Sequence, residues 1–315
     1  MILYLLRRLG FLVLTLVLTS ILIFVITQWL PGDVARVLLG REAGEAALEA
    51  LRAELGLNDP LPVQYLRWVR NLAMGDWGRS FSTASDVRPL VAERLRNSLW
   101  LSLVTLLMSV PLALVLGVLA GLREDSLLDN AISILALAVV GLPEFVTGLV
   151  LIQILAFGLR LLPAISIVTP EESFLEVLPR LLLPALTATL VLLAYVARLT
   201  RAGVVEELKK SYVRTAVLQG LPYGRVIFQH VLRNALLPTI TVIAISVGWL
   251  ISGLVVVENV FNYPGIGRLL VFAIERRDLP VIQAVTMVTV AGYAGANLVD
   301  DMLYGLLDPR IRLGE

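Results

Sequence analysis

Apolar residues in this chain run in long unbroken stretches, not in the alternating or every-third-residue stripes of soluble elements. The first reads MILYLLRRLGFLVLTLVLTSILIFVITQWL over residues 1–30. Arg7 and Arg8 precede about 20 apolar residues, which at about 1.5 Å each cover a hydrocarbon core of about 30 Å. Five more segments follow, at roughly 98–122, 131–158, 181–200, 237–257 and 281–306, each bounded by charge, proline or glycine. A helix on the outside of a soluble bundle would carry a polar face. These are apolar all round, which suits lipid. The pattern predicts an all-α integral membrane protein with six transmembrane helices. Because the first segment ends in Trp29, Leu30 and Pro31, without a small-residue cleavage site, it reads as an uncleaved anchor and not a signal peptide. A twin-arginine export signal at Arg7 and Arg8 is the lesser alternative.

Between the first two spans lies a long polar interval, so the chain divides into residues 1–30, an extracytoplasmic loop domain at 31–97, and a five-helix body at 98–315. In the loop domain, GEAALEALRAEL places Leu48, Leu51 and Leu55 on one side of an amphipathic helix. YLRWVRNLAMGDWG adds Tyr65, Trp68 and Trp77, rings that concentrate at membrane interfaces. In the second span Ser109, Ala113, Gly117 and Gly121 recur every four residues, a spacing that lets two helices approach closely. Packing inside the chain is the favoured reading over a subunit contact. Pro111, Pro143 and Pro184 interrupt spans, where neighbouring helices must satisfy the freed carbonyls.

Charge supplies the orientation. With the N-terminus cytoplasmic, the inside segments hold Arg7, Arg8, Arg123, Arg198, Arg201, both lysines (Lys209 and Lys210), Arg214, Arg225, Arg233, Arg310 and Arg312. The short outside loops hold only Arg160, Arg180, Arg268, Arg276 and Arg277. Nine further arginines fall in the long loop, but loops beyond about 60 residues translocate largely regardless of charge. The expectation is N-in, C-in.

Composition then removes functions. The chain is 58% hydrophobic and 16% charged with net charge +1, so nothing points to nucleic acid. It has no cysteine, hence no disulfide, thiolate metal site or cysteine nucleophile. Neither lysine follows a glycine, so there is no Walker A loop, and a single histidine, His230, excludes the two-histidine zinc helix. No Gly-x-Ser-x-Gly elbow occurs. His230 reads as a solvated surface residue. No catalytic or metal site is expected. Glu144 stands apart: GLPEFVTG sets a carboxylate inside the third span, where ionisable groups face a water-filled path or a partner. Pore lining and structural pairing at a helix break are both open.

The basic loop at 201–237 contains the segment Tyr212–Pro238, YVRTAVLQGLPYGRVIFQHVLRNALLP, too polar to span. Gly220 can end one helix in a left-handed conformation and Pro222 can open the next. The segment reads as helix, tight turn, helix, with a knob that suits docking onto another protein better than lying on lipid.

That segment resembles the cytoplasmic coupling loop of permease subunits in binding-protein-dependent ABC importers. Their pattern is Glu-Ala-Ala, three residues, Gly, nine residues, Ile-x-Leu-Pro. Here Arg214-Thr215-Ala216 and Gly220 are followed later by Leu236-Leu237-Pro238, without the glutamate and with a longer gap. YVRTAVLQGL is similar to the variant in dipeptide, oligopeptide and nickel permeases. LPGD (30–33), LGLNDPLPVQYLRWVRNLAMGDWGRSF (55–81), ENVFNYPGIGRLL (258–270) and YGLLDPRIRL (304–313) resemble that subfamily in the right order.

The resemblance implies a type I ABC importer permease fold in a bacterial or archaeal plasma membrane, moving di- or oligopeptides by alternating access. It implies coupling to an ATPase subunit through Tyr212, Arg214, Thr215, Ala216, Gly220, Leu221 and Pro222, and binding-protein contact through Asn262, Tyr263, Pro264 and Gly265. Its expected partners are a second homologous permease, two cytoplasmic ATP-binding subunits, an extracytoplasmic substrate-binding protein and membrane lipid. ATP would be used by those partners, with no cofactor on this chain. Nickel chelates, glutathione or another small solute stay open as cargo. An ion-coupled secondary transporter would need paired membrane acids, and an intramembrane enzyme a catalytic pair within the spans.

Overall fold

The computed structural model describes residues 2–29, 34–40, 42–54 and 56–307. LPGD at 30–33, Leu55 and the tail from 308 lie outside the described residues. Helix α1 (Ile2–Trp29) is followed by three short helices, α2 (Val34–Leu39), α3 (Glu45–Glu54) and α4 (Leu61–Met74). The body begins with α5 (Val87–Leu122), then α6 (Leu127–Gly141) and α7 (Glu144–Leu151), which runs on as a π-helical stretch, Ile152–Gly158. After α8 (Phe174–Leu208) come α9 (Ser211–Leu218), α10 (Tyr223–Val226), a π turn at Ile227–Val231 and α11 (Leu232–Ala235). The chain then forms α12 (Leu237–Ile251), α13 (Val255–Val260), α14 (Ile266–Arg276) and α15 (Leu279–Leu307). No strand occurs among the described residues.

Among the described residues four helices are continuous and apolar enough to cross a membrane, and the number rises to six if each of two bent pairs is one span. Of the three prolines expected to interrupt spans, only Pro143 does so. Segment 131–158 breaks at Leu142–Pro143 and turns by 107°, because Pro143 lacks the N–H that would continue α6. Tyr223–Ala235 meets α12 at 49°, where Pro238 stands in the first turn. Pro111 and Pro184, by contrast, sit inside the unbroken α5 and α8. The 36 residues of α5 extend for about 54 Å, well past the apolar segment at 98–122.

The tightest packing is α5 on α8. A Cβ on Gly117 would lie 2.5 Å from the Thr200 Cβ and 2.6 Å from the Ala197 carbonyl oxygen, and one on Gly121 2.7 Å from the Val204 Cβ. The small-residue stripe is therefore an intra-chain seam. Around it gathers a core of Leu101, Leu181, Leu192, Leu250 and Phe261. The seam runs to the end of the molecule that carries α9–α11, the basic end. There Arg201 of α8 donates from Nε to Asp129 Oδ1 (2.5 Å) and from Nη2 to Oδ2 (2.6 Å), and Lys209 pairs with Glu124 at 2.8 Å. Arg8 and Asp301, 2.6 Å apart, bring α1 and α15 to the same end.

At the opposite end, Leu48 of α3 is buried, as the amphipathic pattern predicts. Tyr65 and Trp68 of α4 stack on Phe24 of α1 at centroid separations of 5.5 and 6.0 Å, so α4 lies against the first span. Buried Asp278, between α14 and α15, accepts hydrogen bonds from Ser80 Oγ (2.5 Å), Ser82 Oγ (2.6 Å), Ser82 N (2.9 Å) and Phe81 N (3.1 Å). One carboxylate thus fastens the loop domain to the start of the last span.

Candidate coupling surface and translocation path

The basic island folds as its sequence predicts. After α9, Gly220 takes φ +78°, with Gly220 N donating to the Val217 carbonyl (3.0 Å) and Leu221 N to that of Ala216 (3.3 Å). These bonds satisfy carbonyls that the helix end leaves free. Pro222 then caps α10, its carbonyl accepting from Arg225 N at 2.8 Å and Val226 N at 3.1 Å.

Val213 and Ala216 of α9 pack against Val204, Val226, Ile227 and Val231, so the hairpin has a buried inner face. The half-buried Tyr212 ties it to α8: its hydroxyl donates to Glu207 and accepts from Asn234 Nδ2 at 3.1 Å. Burial and the Glu207 carboxylate both push that hydroxyl's pKa up, and Glu207 raises that of Lys210 in turn. The outer face presents Leu218 (79% exposed), Phe228 (74%) and Tyr223 (60%) beside exposed Arg214 and Arg225. Four of the seven expected coupling residues, Arg214, Thr215, Gly220 and Pro222, lie on this surface. Ala216 points inward, as helical phase dictates, since 213 and 216 share a face, and Tyr212 and Leu221 are half-buried. Leu218, Tyr223, Arg225 and Phe228 were missed. The same phase argument would have found Leu218. His230 is half-buried, its carbonyl accepting weakly from Tyr212 at 3.4 Å.

Of the expected binding-protein contacts Asn262, Tyr263, Pro264 and Gly265, most lie inside the molecule. Tyr263 is fully buried and donates to the Asn97 carbonyl (2.7 Å), while Asn97 Nδ2 donates to that of Pro264 (2.9 Å). Pro264 and Gly265 are buried too, and a Cβ on Gly265 would collide with the Glu258 carboxylate. That carboxylate, itself fully buried, accepts from Ser98 Oγ (2.6 Å) and Arg268 N (2.9 Å) at the start of α14. Three of the four residues are therefore an internal knot that joins α5 to α14. Only Asn262, with φ +56°, is partly exposed.

Glu144 opens α7 at the bend. Its Oε1 is buried and has no hydrogen-bond partner, and the same is true of Thr147 Oγ1 one turn later. Among the described residues the Glu144 carboxylate makes no ion pair.

Four to six apolar crossings, a polar bend within one apolar segment and an exposed hairpin at one end suit a multi-pass membrane subunit. Residues 113–313 match the binding-protein-dependent transport system inner membrane component, and residues 1–104 match the N-terminal component of the same systems. The chain belongs to this family and is a permease subunit of a binding-protein-dependent ABC importer, embedded in the plasma membrane. It is 38% identical to the probable peptide ABC transporter permease protein of Sinorhizobium fredii, over 98% of this chain and 99% of that protein. It is 36% identical to the glutathione transport system permease proteins of Pectobacterium atrosepticum and Escherichia coli, over 98% of each chain.

Proposed function

We propose that this permease imports short peptides, in the N-in, C-in orientation, with the basic end in the cytoplasm. The observation that carries the reading is the exposed apolar knob of Leu218, Tyr223 and Phe228, flanked by Arg214 and Arg225 around the Gly220 turn. An apolar centre with an arginine rim suits a protein partner. Two cytoplasmic ATPase subunits would dock there and on a second homologous permease, and would hydrolyse the ATP. This chain would bind no cofactor or metal of its own. An extracytoplasmic binding protein would deliver cargo to the opposite end, where Asn262, alone of the four expected contact residues, is partly exposed. Glu144 would line the path, since a carboxylate without a partner is costly against lipid. The peptide cargo rests on the relatives, whose names specify a peptide and glutathione, itself a small peptide.

The test is uptake into proteoliposomes holding the full complex, with labelled dipeptide, glutathione and chelated nickel offered on loaded binding protein. Peptide uptake that needs internal ATP and survives an ionophore is expected. Uptake that proceeds without ATP and collapses with the ion gradient would instead make the chain a secondary transporter.

A further inference from the structure

The bend between α6 and α7 leaves an unmet charge. No lysine, arginine or histidine occurs between Arg123 and Arg160, so neither arm of the bend contains a cation. None reaches Glu144 from elsewhere among the described residues, and its Oε1 has no hydrogen-bond partner. α6 climbs about 22 Å from the basic end before breaking, so Glu144 stands deep inside the crossing. Its neighbours Leu142 and Phe145 are half exposed, which makes the bend a surface that something covers. Hydrocarbon is a poor cover for a carboxylate.

A second unpartnered oxygen belongs to the same helix. Thr147 is only 7% exposed, and its Oγ1 is likewise unpartnered. Positions 144 and 147 are three apart on α7 and share a face. In the first turn, Val146 N and Thr147 N bond to the Pro143 carbonyl, which fixes the two side chains on the opening turn of α7. The opening turn of α7 thus carries a carboxylate oxygen and a hydroxyl oxygen, neither of which has a hydrogen-bond partner. Two oxygens are too few for a bare divalent metal ion, which takes six or more ligands as Mg²⁺ or Ca²⁺. They suit the three N–H donors of a primary ammonium group.

We propose that Glu144, with Thr147, receives the α-ammonium group of the cargo as it passes the bend. This rests on the reading of the bend as part of the path and adds the chemistry that the path recognises.

The experiment uses the complete transporter, its other subunits freed of cysteine, with this chain carrying Glu144→Cys. Dipeptide uptake is expected to fall about tenfold or more, the scale of a lost charged hydrogen bond. Reaction with a sulfonate-bearing methanethiosulfonate restores a negative charge and should recover uptake, whereas a trimethylammonium reagent of similar length should not. Saturating dipeptide should slow the modification. Equal effects of the two reagents would overturn ammonium recognition while leaving the path reading intact. No modification during turnover would remove Glu144 from the path altogether. Recovery by sulfonate without protection by dipeptide would mean that the second permease supplies the cation, which also overturns the proposal. Should Glu144→Cys not assemble, the near-isosteric Glu144→Gln decides: uptake at the wild-type rate in the assembled transporter sinks the inference.

Discussion

Arg201 grips Asp129 with two guanidinium nitrogens, and Asp129 is 1% exposed while Arg201 is 28% exposed. The two partners therefore fail differently. Arg201→Ala strands a buried carboxylate that keeps only Asp125 N at 2.9 Å and Ser133 Oγ at 3.3 Å, and costs about 3 kcal/mol. Asp129→Asn leaves an arginine that can turn to water and costs less. Thermal unfolding in detergent of both single variants and the double should show the double well below their sum. Strict additivity would mean the pair contributes nothing jointly.

Gly220 has open space where a Cβ would go, and only its φ of +78° resists a side chain. Gly220→Val should therefore cost about 1–2 kcal/mol locally or reshape the turn, with the six crossings intact. The reconstituted complex should lose its ATPase subunits or hydrolyse without stimulation by loaded binding protein. Normal stimulation and uptake would show that the turn does not couple.

Gly265→Ala pushes a methyl group into the Glu258 carboxylate, and overpacking of this kind costs about 1–3 kcal/mol. Ser98→Ala removes one of Glu258's donors and costs about 1–3 kcal/mol for the same buried group. Both should lower the melting temperature clearly, while Asn262→Ala, at the partly exposed position, should lower it less, by the small cost of alanine at its left-handed φ of +56°. An equal drop for Asn262→Ala would contradict the division between knot and surface.

Acid should loosen the loop before α8. Arg180 hydrogen-bonds Glu172 and holds its carboxyl at about 2, below the ordinary 4.5. A carboxyl whose folded pKa is depressed lends stability that is complete above its unfolded value and disappears as pH falls through the folded one. The contribution is therefore lost between about pH 4.5 and about pH 2. Glu172→Gln should flatten that part of the melting-temperature profile and leave the profile above pH 5 parallel to wild type; an unchanged acid limb would show the pair to be inert.

Sidedness is read most directly by labelling, since the chain has no native cysteine. Exposed Glu171→Cys should react with an impermeant maleimide in intact cells whose outer membrane, if present, is permeabilised, and exposed Ser211→Cys only after lysis. The opposite pattern would reverse the orientation.

The apolar crossings were legible because length and hydropathy decide them locally, and so was the Gly220 turn, whose two signals sit within three residues. The bend was only half legible. Pro143 announces a break, but its angle depends on what α7 packs against, and Gly148 rests on Phe261 and Val260 more than a hundred residues away. The burial of Tyr263 was not legible at all, because its partner Asn97 lies 166 residues earlier in the chain, at the end of the loop domain. Leu218 and Phe228 looked like ordinary helix residues until the inner face of the hairpin was filled by Val213 and Ile227.

The hold of Asp278 on residues 80–82 has a practical side. By sequence, GRSFSTAS is a polar surface turn, the kind of place where an epitope tag or reporter domain is usually inserted. Yet the backbone N–H groups of Phe81 and Ser82 and two serine hydroxyls converge on that one carboxylate. Lengthening the turn would scatter four donors at once and leave a buried aspartate with no replacement for them. A graft is better placed around Glu171, in an exposed stretch outside this arrangement.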